Sequence, residues 1–280
     1  MENKTKYKLV ASDLDGTLLG KDQTVSKENL KAIAEMHRLG VHFVLATGRA
    51  LSEIPKELID SDGVRYIITS DGAAVWDKLS EKMIISRYIP KELTKLILDT
   101  VYTHTAYTVV HENGKAYRDA ERHSTEILDA CHINKYFCNL ILERSVPQNE
   151  YYEFVSSSDA VEMFCIFFES DDARRECKRI FLETGKLCVA SSGSSNLEIY
   201  FSGAGKGNAL KALLKKLEVN ASQAIAVGDS SNDYTLIKAA GLGLATENAC
   251  DELKAMADKT ICKNSEHIAK HILENYILEN

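Results

Sequence analysis

Two aspartates two residues apart, Asp13 and Asp15, stand in Asp13-Leu14-Asp15-Gly16-Thr17-Leu18-Leu19, directly after the apolar run Tyr7 to Ser12. In extended chain, residues two apart face the same side, and a glycine such as Gly16 lets the backbone turn sharply. Close carboxylates repel unless a cation or a shared proton intervenes. Magnesium would resolve the conflict, because it prefers oxygen ligands and keeps several waters. One carboxylate could then attack phosphorus while the other moves a proton.

Three more segments supply complementary groups. Thr47-Gly48-Arg49 offers a hydroxyl and a glycine N–H that can grip a phosphoryl oxygen, although Thr-Gly after a strand is also a common turn. Ser202-Gly203-Ala204-Gly205-Lys206-Gly207 sets a lysine just ahead of a helical pattern, where free N–H groups favour an anion. It is not a nucleotide-binding P-loop: Gly207 follows the lysine where Ser or Thr is required, and Tyr200 stands where the first glycine should be. Gly228-Asp229-Ser230-Ser231-Asn232-Asp233 adds two carboxylates and an amide. Asp229 and Asp233 are four apart and could share a face at a helix start, while Asn232 or Asp233 could equally serve as a cap. Jointly the four segments offer a nucleophile, a proton carrier, oxygen ligands for a metal, a hydroxyl and a cation, the parts phosphoryl transfer needs.

The elements that must position these groups alternate strand and helix. Tyr7 to Ser12, Val41 to Ala46 and Tyr66 to Thr69 read as buried strands. Between them lie a helix over Ser26 to Leu39, with Ser26 as N-cap and Gly40 as stop, and a short one over Glu53 to Ile59. The rhythm returns as a helix over Asn208 to Leu217, a strand over Ala224 to Val227, a helix over Asp233 to Ala240 and a strand over Leu242 to Ala245. Ala249 to Ala257 and Glu266 to Leu278 read as closing helices. Such alternation predicts an α/β fold, a Rossmann-like doubly wound parallel sheet with helices on both faces. The middle reads differently. Thr108 to His111 and Lys115 to Arg118 form a hairpin around Asn113-Gly114, Val161 to Phe168 is a long strand, Asp171 to Glu183 a helix, and Lys186 to Ala190 and Asn196 to Phe201 further strands. The expected organisation is a core domain from residues 1–84 and 201–280 and an inserted α+β cap domain over 85–200.

Composition narrows the partners. The net charge of −7 gives little long-range attraction to nucleic acid. No apolar stretch is long enough to span a membrane, and Met1 to Lys8 lacks the apolar core of a signal peptide, so the expected compartment is the cytoplasm. The seven cysteines are odd in number, lack zinc-ligand spacing and read as mostly buried apolar thiols.

The motif set resembles the haloacid dehalogenase-like superfamily of phosphatases and, more narrowly, its Cof-type sugar-phosphate phosphatases, whose cap is inserted between the second and third motifs. The resemblance covers roughly Tyr7 to Ala74 and Leu197 to Ala249 by motif, and the middle by cap length and rhythm only. It implies that Asp13 is nucleophile and magnesium ligand, and that Asp15 is the general acid/base, its backbone carbonyl also binding Mg2+. It implies phosphate contacts from the Leu14 backbone, Thr47, Gly48, Lys206 and Asn232, a further metal ligand in Asp229, and Asp233 behind them, holding Lys206 or a metal-bound water. The implied substrate is a small phosphomonoester. Polar side chains of the insert such as His104, His111 and Arg118 are candidates to meet its organic part. The sequence departs from the family at Asp71, where Asn is usual, at Thr246 in place of Met, and at Glu266-His267-Ile268 in place of Asp-Gly-Val. A carboxylate at 71 would repel bound phosphate unless paired or turned away. Two other readings stay open: a phosphomutase acting on hexose phosphates, and a phosphometabolite-binding regulator without turnover.

Overall fold

The structure is a computed structural model and describes residues 5–133, 135–191 and 196–278. Contacts divide the chain into two compact units. One holds the chain up to Gly48, Ile54–Ser86 and the chain from Gly205 onward; the other holds Arg49–Glu53 and Arg87–Ala204.

The first unit is built on an eight-stranded sheet, ordered Lys259–Thr260, Leu242–Ala245, Ala224–Gly228, Leu9–Ser12, His42–Ala46, Val64–Thr69, Ala74–Asp77, Lys82–Ser86. The first six run parallel, with Leu9 opposite Ala224 on one side and His42 on the other. The last two are antiparallel and form a hairpin at the edge, so the sheet is not wholly parallel as the alternation predicts. The central strands are buried on both faces, which is why they read as unbroken apolar runs. Against one face, Leu210, Leu213 and Leu214 of the helix Lys206–Lys216 pack with Leu236 and Ile237 of the helix Tyr234–Ala239.

Local signals explain most of the element ends. The Ser26 hydroxyl accepts from the Asn29 N–H and opens the helix Lys27–Arg38, and Gly40, at φ 77°, follows its end. The helix expected over Glu53 to Ile59 splits, because Pro55 begins a new one at Lys56–Asp60 and leaves Leu51–Glu53 as a separate turn. The closing segment is helical only over Ile268–Ile272 before it widens over Leu273–Ile277. His267, standing where the family's glycine is usual, is left-handed at φ 66° and bonds through Nδ1 to the Ser26 hydroxyl at 2.9 Å.

The second unit carries a six-stranded sheet, ordered Leu187–Ala190, Asn196–Phe201, Val161–Phe168, Ala106–Glu112, Lys115–Asp119, Val146–Gln148. All neighbours are antiparallel except the last pair. The hairpin turn is Asn113-Gly114, both left-handed as a two-residue turn of this kind requires. One cluster joins Phe164, Ile166 and Phe168 to the helices Lys91–Val101, Tyr151–Ser157 and Asp171–Glu183. Arg49–Glu53 belongs to this unit through contacts distant in sequence: the Ser52 N–H donates to Gly114 O at 2.9 Å, and Ala50 packs with Tyr107, Val109 and Ala116. His111 lies 3.4 Å from the Glu53 carboxylate, His104 lies 3.9 Å from Glu176, and Arg118 donates to the Ser145 carbonyl.

All seven cysteines are free thiols, but only Cys131 and Cys177 are buried. The other five are half-buried, so the buried reading holds for two of the seven. Burial lifts the Cys131 and Cys177 thiols to about 11, so neither is a ready nucleophile. Among the described residues no helix is long and apolar enough to cross a membrane.

One close approach fixes the start of the helix Lys206–Lys216. A Cβ on Gly207 would lie 2.1 Å from the Thr235 carbonyl oxygen, and the Gly207 N–H donates to Thr235 Oγ1 at 3.2 Å. Gly207→Ala should therefore cost about 1–3 kcal/mol by overpacking. Urea unfolding of the two proteins checks this, and equal midpoints would contradict it.

Candidate active site

Because the parallel strands share one direction, their carboxyl ends form a single rim. Asp13 follows the strand Leu9–Ser12, Thr47 follows His42–Ala46, Ser70 and Asp71 follow Val64–Thr69, and Asp229 follows Ala224–Gly228. Leu9–Ser12 and Ala224–Gly228 are neighbours, but the chain leaves them toward opposite sides of the sheet. Their shared end is thus a switch point, where open α/β sheets leave a crevice for ligands.

Lys206 sits at the centre of this rim. Its Nζ donates to Asp13 Oδ1 and to Asp233 Oδ1, each at 2.7 Å, and all three side chains are buried. Burial alone would discharge the ammonium, but Asp13 and Asp233, with Asp71 beyond them, overcome it and hold Lys206 well above the usual lysine range. Asp233 is fully engaged: its Oδ2 accepts from the N–H groups of Asp229 and Ser230 at 3.0 and 3.2 Å. It thereby shapes the turn after Gly228 as well as bonding Lys206.

Asp13, Asp229 and Asp233 each present a carboxylate oxygen, and these oxygens lie within 4.8 Å of one another. Burial, then the like charge of Asp233, push the Asp13 carboxyl well above the usual range; Lys206 opposes and Asp229 adds to the rise. Burial and Asp233 lift Asp229 to about 6, against the Thr17 hydroxyl, which donates to Asp229 Oδ1 at 3.1 Å. Asp13 Oδ2 is buried with no hydrogen-bond donor turned toward it. An all-oxygen donor set with excess negative charge and an unserved buried oxygen fits a hard divalent cation such as magnesium.

The turn Leu14–Leu18 carries the rest of the first motif. Leu19 N–H closes it on Leu14 O at 2.9 Å, and Gly16 is left-handed at φ 81°. A Cβ there would lie 2.3 Å from Asp229 Oδ2, so only glycine lets the turn approach Asp229 this closely. Leu14 is buried beneath the turn, whereas Asp15 is exposed and its side chain lies outside the three-carboxylate group. Thr47 is buried beside Asp71, whose N–H donates to Thr47 O at 3.1 Å. Gly48 abuts the Asp71 carboxylate, with Oδ1 3.3 Å from where a Cβ would stand. Asn232 Nδ2 donates to the same Asp71 Oδ1 at 3.1 Å.

Several contacts escaped the reading of the sequence. Thr17 holds Asp229, and the Asn248 amide donates to Gly16 O at 2.8 Å, tying the first turn to the loop after Leu242–Ala245. Thr17 lay within the first motif, so its type and place were visible; Asn248, 232 residues from Gly16, gave no signal. Thr246 is buried, and its N–H donates to Gly228 O at 3.1 Å.

This fold and rim define an α/β enzyme of the phosphoryl-transfer kind. The sequence model of the haloacid dehalogenase-like hydrolase family matches residues 10–272. The chain is 31% identical to the Bacillus subtilis 5-amino-6-(5-phospho-D-ribitylamino)uracil phosphatase YcsE over 97% of this chain and 96% of that one. It is 28% identical to Phosphatase YwpJ of the same organism, over 96% and 100%. A solved haloacid dehalogenase-like hydrolase from B. subtilis superposes with a TM-score of 0.81 at 26% identity, covering 96% of this chain and 100% of that one. The chain belongs to the haloacid dehalogenase-like hydrolase family. It is a phosphatase of the Cof type.

The raised Asp229 carboxyl gives a signed expectation. Without a cation the folded state holds a proton up to about pH 6 that the unfolded chain releases near the ordinary carboxylate value. Stability from this group is thus present at low pH and lost as pH rises through about 6. In EDTA, wild type should lose stability relative to Asp229→Asn between about pH 4 and 7. Excess magnesium should reverse that order at neutral pH. Urea unfolding of both proteins reads the difference, and a wild type that gains on the variant with rising pH in EDTA would contradict it.

Proposed function

We propose that the protein hydrolyses a small phosphomonoester in two steps through an aspartyl-phosphate intermediate. The Asp13 carboxylate attacks phosphorus and the bond to the leaving oxygen breaks, with Asp15 donating a proton to the alkoxide. Asp15 then takes a proton from water, which attacks the aspartyl phosphate and releases inorganic phosphate and free Asp13. The observation that carries this reading is the buried Lys206 bridging Asp13 and Asp233, with Asp13 Oδ2 unserved and Asp229 beside it. Such an arrangement holds a carboxylate in one place and leaves it an oxygen for an electrophile.

The remaining residues grip the transferred group. Lys206 neutralises charge on Asp13 and on the phosphoryl oxygens; the Thr47 hydroxyl, the backbone at Leu14 and Gly48, and the Asn232 amide donate to those oxygens. Asp13, Asp229 and the Asp15 carbonyl would hold Mg2+, which when bound offsets the phosphate charge that the carboxylates would otherwise repel. Asp233 keeps Lys206 and the Asp229 turn in position. The second unit, over Arg87–Ala204, serves as the cap that meets the organic part of the substrate. The relative YcsE carries in its name a phosphate ester on a ribityl chain, and that compound heads the substrate panel.

Inorganic phosphate release from a panel of phosphomonoesters, with and without magnesium, tests the assignment. Release that needs magnesium supports it; release from none of the panel overturns it, and phosphate transfer to a second sugar hydroxyl points to a mutase. Asp13→Asn should lower kcat by at least about a thousand-fold, as loss of a nucleophile does. Its circular dichroism should remain that of wild type. Full activity in that variant would refute the nucleophile.

A further inference from the structure

Asp71 is the family departure that bears most directly on this site, because it is a buried carboxylate within the proposed phosphate-binding group. Its Oδ1 accepts from Asn232 Nδ2 at 3.1 Å, it lies against Gly48, and its charge acts on Lys206. The backbone there is costly: Ser70 and Asp71 are both left-handed, at φ 49° and 50°. Non-glycine residues in that region store of order 1–3 kcal/mol each, and they persist where the surroundings over-determine them. What this strained turn delivers is one carboxylate oxygen to one amide, 161 residues away in the chain.

We infer that Asp71 is a positioning residue that fixes the Asn232 amide with its N–H groups toward the phosphoryl site. An amide can sit in two orientations that exchange its oxygen and nitrogen. An ionised carboxylate only accepts, so it admits the orientation with Nδ2 facing Asp71. On the other side the Ser230 hydroxyl donates to Asn232 Oδ1 at 2.7 Å. A hydroxyl alone could satisfy either orientation, since it both donates and accepts. Asp71 thus breaks the tie. Asn232 Nδ2 has two hydrogens, and the one not given to Asp71 is the donor for phosphate. An asparagine at 71 would itself have two orientations, although its amide oxygen can reach the same hydrogen bond.

This inference rests on the proposed reading of the rim as a phosphate site. Calorimetric titration with inorganic phosphate, in magnesium, separates the two. Asn232→Ala should weaken phosphate binding by about three- to ten-fold, the range of one lost hydrogen bond. Asp71→Gly tolerates the left-handed backbone and should weaken it by a similar factor. The double variant should bind no more weakly than Asn232→Ala, because Asp71 acts through Asn232. Asp71→Asn should recover most of the loss. If Asp71→Gly does not fold, Asp71→Ser, too short to reach the amide, carries the same expectation. Independent, multiplying losses, or an Asp71→Gly protein that binds phosphate as tightly as wild type or tighter, would overturn the positioning role. Wild type that binds no phosphate would overturn the phosphate-site reading and this inference with it. Weakening by Asn232→Ala alone would leave that reading standing and remove the inference.

Discussion

A lysine ammonium held out of water between two carboxylates is the interaction on which the rest of the site depends. Burying either kind of ion costs several kcal/mol, and only close, well-directed partners return it. Lys206 has them at 2.7 Å on both sides. Removing one partner of such a pair typically costs about 3–5 kcal/mol, because the other charge is left stranded. The pair therefore ties the strand Leu9–Ser12, the helix Lys206–Lys216 and the turn Ser231–Asp233 to one arrangement. Those are three of the four segments whose side chains the proposed phosphoryl chemistry uses.

The convergence is built by close backbone approach as much as by charge. Gly207 lets the helix start touch the Thr235 backbone, which sets where Lys206 emerges. Gly16 lets the first turn fold down onto Asp229. Neither contact adds chemistry of its own. Each removes a Cβ that would hold charged groups apart, so the acidic crowding follows directly from the packing.

The candidate site residues are legible as positions in the sequence because each sits at the end of a buried strand or close to the start of a helix, where local pattern is strongest. Asp13, Asp229 and Lys206 come together as those positions imply. Asn232, Thr47 and Gly48 meet at Asp71, whose type stands out in the sequence while its partner does not. A contact 161 residues away in sequence leaves no periodic trace. The same limit explains Arg49–Glu53, placed in the second unit by Gly114, Tyr107 and Val109. The helix Lys91–Val101 is hidden in the sequence for another reason. Its run Leu96-Ile97-Leu98 suits a buried strand as well as a helix, and its opening residue Pro90 supplies no side-chain cap. The edge hairpin Ala74–Asp77 and Lys82–Ser86 has strands of four and five residues, and its apolar runs Ala74-Val75-Trp76 and Met83-Ile84-Ile85 are too short to tell strand from helix by period.

Acidic crowding has two consequences of opposite sign. In the protein alone it is a cost, visible in the raised carboxyls of Asp13 and Asp229. A stable resting fold would be better served by fewer charges, since a buried ion pair rarely outdoes a well-packed apolar one. Yet the cost is a difference that a divalent cation would recover on binding, so the same repulsion that weakens the rim without a cation would strengthen its hold on one. Asp71 extends the logic one step outward. Its charge adds to the cation demand around Lys206 while its oxygen is given to an amide, so a residue that looks unsuited to the proposed phosphate site is accommodated by being bonded to one of the groups proposed to bind phosphate.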